Sequence, residues 1–359
     1  MKIAIIGTVG IPAKYGGFET LAENLVDQLG GKYDFTIYCS SPNYRGERQE
    51  TYLGARLRYL PFHANGKSSI IYDVISIVHA MFFADVLLIL GVSGAFMIPV
   101  IKWFTNKKII TNIDGLEWKR DKWGDIAKKY LKMQEKIAVR FSNVTVVDNE
   151  GIENHVFHEY AKPSTLIAYG ADHVFYKELS KSTLEELCLP KNFAFKVCRI
   201  EPENNIHIIL EAFGKTTVNL VVVGNWNNSE YGKELREIYV NKENLYLLDP
   251  IYDPNKLNEL RANCFLYVHG HSAGGTNPSL VEAMYLGLPI VAFDVDYNRY
   301  TTNNEALYFK TGEDLLKLLK NDLAYAKNLD TVALKMKQTA KKRYTWKFIS
   351  ESYENLWSA

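Results

Sequence analysis

A chain of 359 residues with 47% hydrophobic and 23% charged side chains is too long and too evenly mixed to be disordered or fibrous, and its length suits two domains, each burying a core without staples. A formal net charge of +1 argues against a nucleic-acid partner; the first 170 residues carry 20 Lys and Arg against 17 Asp and Glu, so any basic surface belongs to them. Cys39, Cys188, Cys198 and Cys264 include no Cys-x-x-Cys pair, which excludes a zinc knuckle or a thioredoxin-type redox pair and reads as reduced, buried thiols.

Met1-Lys2 leads straight into an apolar run at 3–6 without a basic n-region or cleavage site, so no signal peptide is expected and the chain reads as cytoplasmic. Short runs rich in Val and Ile, without polar alternation, mark strands buried on both faces, as parallel sheets require. They fall at 3–6, 35–38, 86–90, 109–111 and 144–147, with helical stretches at 18–29 and 126–141. The charge-free run 86–101 is 16 residues long and contains Gly91, Gly94 and Pro99, short of the roughly 20 residues of a spanning helix. It reads as strand, loop and buried helix. After Tyr169-Gly170-Ala171-Asp172 the pattern restarts, with strands at 193–197, 220–223, 245–247, 265–268 and 290–293 and a helix at 206–213; the polar run 225–229 reads as a loop. The tail 344–357 sets Trp346, Phe348, Ile349, Tyr353, Leu356 and Trp357 at mostly helical spacing, more apolar surface than a free end shows, so it is expected to dock. The expected architecture is α/β, with two Rossmann-like domains joined near residues 170–190.

Three loops carry candidate chemistry. The first strand ends in Gly7-Thr8-Val9-Gly10 and continues to Tyr15-Gly16-Gly17-Phe18-Glu19-Thr20 at the head of a helix, where glycines let backbone amides approach a phosphate. A nicotinamide site fails, because Gly-x-Gly-x-x-Gly is absent and the second strand ends Tyr38-Cys39-Ser40 with no acid for a ribose diol. Gly66-Lys67-Ser68 imitates the end of a P-loop, but Pro61 stands where the first glycine belongs. In the second half, Arg199-Ile200-Glu201-Pro202-Glu203-Asn204-Asn205 follows a strand and precedes a helix, and an Arg there can fork onto a diphosphate. Gly274-Gly275-Thr276-Asn277-Pro278-Ser279 runs into a helix bearing Glu282, a hydrogen-bonding set suited to a nucleotide or a sugar. The eight histidines include no His-Glu-x-x-His, so no metal is expected; His271 alone reads as near the site.

The Gly-Gly loop, the Arg-x-x-Pro-Glu segment and the loop ending Pro-Ser-Leu-Val-Glu-Ala-Met together resemble family 4 of the retaining GT-B glycosyltransferases. Residues 15–20 with Asp114-Gly115-Leu116-Glu117-Trp118-Lys119-Arg120 look like the bacterial rhamnosyltransferases of polysaccharide assembly. The resemblance implies two parallel-sheet domains facing a central cleft: an acceptor-binding domain at 1–172, a nucleotide-sugar domain at 173–343 and a helix at 344–359 packing back on the first. Two positions depart from the family. Asn204 stands where a Lys is usual, and Gly274 where the partner of Glu282 would be. The missing glutamate commonly meets sugar hydroxyls, which favours a 6-deoxy sugar such as rhamnose.

Under that resemblance the donor, dTDP-rhamnose, would be held by Gly16, Gly17, Arg199, Asn204, Gly275, Thr276, Asn277, Pro278, Ser279 and Glu282. Glu19, Asp114, Glu117, Trp118 and Arg120 would take the acceptor, a growing saccharide either soluble or carried on a lipid diphosphate. Asp114, Arg199 and Glu282 are the expected catalytic residues, with no cofactor. Asp114 and Trp118 read also as a helix cap and a core tryptophan, and Asp148 as structural. The segment 114–140 holds eight basic and five acidic residues with Trp118 and Trp123 interleaved, which suits either contact with the inner leaflet or a solvated amphipathic helix. A nucleotide-sugar epimerase or phosphorylase of the same fold, or a non-catalytic nucleotide-sugar binder, would use similar loops.

Overall fold

The computed structural model describes all residues except Tyr15, Arg45, Glu47, Asp121, Lys122, 322–325 and Ala359, and the side chains of Lys67, Asn321, Ala326 and Lys327. It divides the chain into two units, Met1–Gly170 with Trp346–Ala359, and Ala171–Thr345.

The first unit runs β1 (Lys2–Ile6), α1 (Gly17–Leu29), β2 (Asp34–Ser40), β3 (Thr51–Tyr52), β4 (Ala55–Leu60), α2 (Ser69–Ala80), β5 (Val86–Leu90), α3 (Ile98–Phe104), β6 (Lys108–Asn112), α4 (Asp125–Phe141), β7 (Val144–Val147), α5 (Glu150–Tyr160) and β8 (Thr165–Leu166). Among the described residues its sheet has the order β3-β4-β2-β1-β5-β6-β7-β8, parallel throughout except for the β3–β4 pair. Its central strands are apolar on both faces because helices cover both, and Ile3, Ile5, Leu88 and Ile110 are buried completely.

The second unit runs α6 (Lys181–Glu186), β9 (Ala194–Val197), α7 (Ile206–Phe213), β10 (Leu220–Val223), α8 (Glu230–Tyr239), β11 (Leu245–Leu248), α9 (Pro254–Ala262), β12 (Leu266–His269), α10 (Pro278–Leu286), β13 (Ile290–Phe293), α11 (Asp296–Thr301), β14 (Leu307–Phe309), α12 (Gly312–Asn321) and α13 (Ala326–Arg343). Its sheet order is β11-β10-β9-β12-β13-β14, all parallel. The chain then returns to the first unit as α14 (Trp346–Ser358). Trp346, Ile349, Tyr353 and Trp357 form one buried stripe of α14 within the core that contains α1. Burying one large apolar side chain is worth roughly 1.5–3 kcal/mol, which explains why a terminal helix stays ordered.

The run 225–229 is a connector after β10 that carries a 3-10 turn, in which Trp226 is fully buried, its indole N–H donating to the Leu248 carbonyl at 2.9 Å. One expectation needs correction: not all four thiols are buried, since Cys188 is exposed just beyond α6.

Candidate functional site

The chemistry-bearing loops of each unit leave the carboxyl ends of its parallel strands, where open α/β sheets place ligands. In the first unit, the loop after β1 is tied down by Glu19. This carboxylate accepts hydrogen bonds from Thr8 Oγ1 at 3.0 Å and from the Val9 amide at 2.6 Å. Burial pushes the Glu19 carboxyl up, against the opposing pull of those hydrogen bonds. Gly16 stands at φ 124°, and a Cβ there would lie 1.9 Å from Glu19 Oε2, so only glycine fits. Glu19 was expected on the acceptor; at 7% exposure it instead shapes the loop from beneath. Gly16 caps α1 without a side-chain hydrogen bond, which leaves the amides that follow suited to an anion. Tyr15 of the same motif lies outside the described residues.

The loop after β6 holds Asp114 in the left-handed region, φ 61°, with its amide donating to Asn112 Oδ1 at 3.0 Å. Its half-buried carboxyl lies close enough to Tyr169 to help raise that phenol's pKa, after burial, the larger cause. Glu117, Trp118 and Arg120 are largely occupied with one another and with the interior. Arg120 Nη1 meets Glu117 Oε2 at 3.1 Å, and Trp123 Nε1 donates to Glu117 Oε1 at 3.0 Å. Trp118 Nε1 donates to Glu135 at 2.8 Å, and its ring lies under the ammonium groups of Lys119 and Lys132, 5.4 and 4.9 Å from the centroid. Glu135, 2% exposed, also meets His155 Nε2 at 2.9 Å and the Tyr160 hydroxyl at 2.7 Å. Trp118 is thus anchored inward by its indole N–H through the buried Glu135, whereas Trp123 is tied to Glu117 of its own segment. Asp121 and Lys122 of that segment lie outside the described residues.

In the second unit, Arg199 leaves β9 exposed, with only a loose pairing at 3.7 Å from its Nε to Glu201 Oε2. Asn204 and Asn205 staple this loop to the one after β12. Asn204 Nδ2 donates to the Arg199 carbonyl at 2.8 Å, its Oδ1 lies 3.1 Å from His271 Nδ1, and Asn205 Nδ2 donates to the Gly270 carbonyl at 2.8 Å. Asn298 Nδ2 donates to the His271 carbonyl at 2.8 Å, completing the network. Asn204 was expected to touch the donor; with 4% exposure and both ends of its carboxamide engaged, it holds the backbone of Arg199 instead.

Gly274, Gly275 and Thr276 lead to Asn277, which caps α10 by accepting from the Ser279 amide at 3.0 Å and from Ser279 Oγ at 2.8 Å, with Pro278 in the first turn. One turn on, Glu282 Oε2 meets Arg261 Nη2 of α9 at 2.7 Å, while Oε1 lies 3.2 Å from His173 Nε2. Burial alone would raise the Glu282 carboxyl, but Arg261 and then His173 outweigh it and hold the group below the usual carboxylate range. Glu282 therefore remains charged beside Ser279. Arg261 and His173 were missed from sequence: a lone Arg within a helix and a His in a connector carry no spacing signal. Among the described residues, no three His, Cys, Asp or Glu side chains gather as a metal site would need.

Residues 1–172 match the model of a domain of unknown function (DUF1972), and residues 185–347 match that of the glycosyl transferases group 1. No curated protein is significantly similar in sequence to the chain. Among solved structures, sucrose-phosphate synthase of Thermosynechococcus elongatus is similar with a TM-score of 0.83 at 16% identity, over 99% of this chain and 98% of that one. Anabaena HepE in complex with UDP-glucose gives 0.73 at 14% identity over 100% of both chains. A Listeria monocytogenes protein assigned as a UDP-N-acetylglucosamine 2-epimerase gives 0.61 at 13% identity, over 98% of this chain and 93% of that one. At such identities the likeness is one of fold, and the fold is GT-B, with two parallel-sheet units.

Proposed function

We propose that the chain is a glycosyltransferase that moves a sugar, L-rhamnose from dTDP-rhamnose, to a saccharide hydroxyl on a lipid diphosphate during cell-surface polysaccharide synthesis. The observation that carries the reading is the glycosyl transferases group 1 match over 185–347, the segment in which Arg199 stands exposed at a strand end and Glu282 is held charged at the head of α10. HepE was solved with UDP and with UDP-glucose, which supports a nucleotide-sugar donor here.

Within the second unit, Arg199 and the amides of Gly275 and Thr276 would receive the diphosphate, and Asn277, Pro278, Ser279 and Glu282 would line the nucleotide end; within the first, the amides of Gly16 and Gly17 would meet an anion. Asp114 would orient the acceptor hydroxyl, with Glu117, Trp118 and Arg120 shaping its surroundings. The bond from the anomeric carbon to the leaving phosphate oxygen breaks as the acceptor oxygen bonds to that carbon. The acceptor proton passes to the leaving phosphate on the same face, so the configuration is retained. A guanidinium and oriented amides stabilise the charge developing on the phosphate without a metal. Incubation with dTDP-rhamnose and a lipid-linked saccharide tests the reading: it requires dTDP release and a product with the donor's anomeric configuration. An isomerised donor formed without acceptor would instead identify an epimerase, and binding without turnover a nucleotide-sugar binder.

A further inference from the structure

Three neighbouring helices of the first unit leave an unusual surface. Along α2 the outward row is Ile71, Val74, Ile75, Val78 and Phe82, wholly apolar; the helix's one acid, Asp73, is buried, and His79 is its exposed polar neighbour. The turn into α3 and α3 itself expose Phe96, Val100, Trp103 and Phe104 beside Lys102. Phe82, Trp103 and Phe104 are 78%, 87% and 76% exposed, large apolar groups standing in water.

These rows share one side of the unit. Gly94 sits so close on α2 that a Cβ would lie 2.7 Å from the Asp73 Cβ. The Phe96 amide donates to Gln134 Oε1 of α4 at 2.8 Å, and Tyr130 of α4 donates to the Ser93 carbonyl at 2.7 Å. Strands β5 and β6 pair Val86 with Lys108, so Phe82 and Phe104, each four residues upstream of its strand position, come to the same end of the sheet, at the amino ends of its strands. Beside them α4 exposes Ile126, Lys129, Met133, Lys136 and Arg140. The acids nearby are Asp125 at the head of α4, Asp85 bonded to the Lys2 amide, and Glu159 paired with Lys132. Isolated apolar side chains are ordinary on a soluble surface, but two adjoining apolar rows rimmed by cations are not.

We propose that this face docks on an anionic lipid bilayer. Phe82, Trp103 and Phe104 enter the boundary between headgroups and acyl chains, and Lys102, Lys129, Lys136 and Arg140 meet the anionic headgroups. No helix among the described residues is long and apolar enough to cross a membrane, so the contact is peripheral. The basic row on α4 selects an anionic bilayer over a second copy of the chain, whose same face would be equally cationic.

The test uses the full chain without substrate, so its outcome is independent of the transferase reading. Co-sedimentation is measured with vesicles of phosphatidylcholine alone and of phosphatidylcholine mixed with phosphatidylglycerol, at low and high salt, for the wild type, for Trp103→Glu alone, and for Phe82→Glu/Trp103→Glu/Phe104→Glu. Thermal melts confirm folding. The expected result is binding to the mixed vesicles that weakens with salt and falls by about tenfold or more in the triple variant, with Trp103→Glu intermediate. Absence of wild-type binding to mixed vesicles overturns the proposal, as does unchanged binding by the folded variants. So does a wild-type dimer in ultracentrifugation that the variants dissociate while no form binds lipid.

Discussion

Tyr353 accepts a hydrogen bond from Asn112 Nδ2 at 2.9 Å inside the first unit, across 241 positions of sequence. The other end of the Asn112 carboxamide receives the Asp114 amide. The terminal helix thereby reaches the left-handed residue proposed to face the acceptor through one intermediate side chain. Tyr353→Phe leaves the buried Asn112 amide without that partner, and a stability loss of about 1–3 kcal/mol is expected. Turnover should fall while donor affinity stays within twofold or so of the wild type, as a loosened acceptor loop requires. Melts, donor titration and steady-state kinetics check this; a stability loss with unchanged kcat would mean that Asp114 is positioned by other contacts.

Arg261→Ala should be more damaging than Glu282→Gln. Both partners are largely buried, and removing the cation strands a carboxylate that burial already penalises, at a cost of about 3–5 kcal/mol. Gln at 282 removes the charge and retains a hydrogen-bonding side chain, so its melting temperature should stay nearer the wild type while donor binding weakens. Equal melting temperatures for the two variants would show that leaving Glu282 without its cation costs no more than removing the charge itself.

Much of the fold was legible because the sheets are buried on both faces. The strands at 86–90, 144–147, 220–223 and 290–293 and the helix at 206–213 coincide end to end with their sequence patterns. Strand β4 escaped notice because exposed Arg56 and Arg58 alternate with buried Ala55 and Leu57, so it lacks the apolar run of a central strand. Strands β8 and β14, with two and three residues, are too short to show a period. The site loops were visible through their glycines and polar residues. Their internal wiring was not: Glu135 under Trp118, Arg261 under Glu282 and Asn204 beneath Arg199 depend on which elements the folded chain brings together.

Asp73 gives the fold a pH dependence of definite sign. Burial lifts its carboxyl to about 7, outweighing hydrogen bonds from Ser93 and the Gly94 amide. The folded chain then keeps a proton that the unfolded chain releases above about pH 4, so stability falls as pH rises from about 4 to about 7 and is level above that. Asp73→Asn removes the ionisation with little change in shape. Its melting temperature should exceed the wild type's at pH 8 by an amount that shrinks as the pH approaches 4. A difference independent of pH would show that Asp73 does not titrate in this range.

Arg199→Ala should preserve the fold, because the side chain is exposed and its pairing with Glu201 is loose. A charged hydrogen bond to a diphosphate is worth roughly 1.5–3 kcal/mol, so kcat/KM for the donor should drop by about tenfold to a hundredfold. Unchanged kinetics in a folded variant would remove Arg199 from the donor site.

The central claim, a nucleotide-sugar donor held by the second unit, is tested most directly by thermal stabilisation across a panel that includes dTDP-rhamnose, UDP-glucose, the free nucleotides and free sugars, with the wild type and Arg199→Ala in parallel. A ligand at a hundred times its dissociation constant stabilises the folded state by about 2.7 kcal/mol. The account predicts that dTDP-rhamnose raises the wild-type melting temperature most, that free sugars do not raise it, and that Arg199→Ala sharply reduces the rise. Preference for UDP-glucose would overturn the choice of donor alone, whereas no stabilisation by any nucleotide sugar, or a rise undiminished in Arg199→Ala, would contradict the donor site itself.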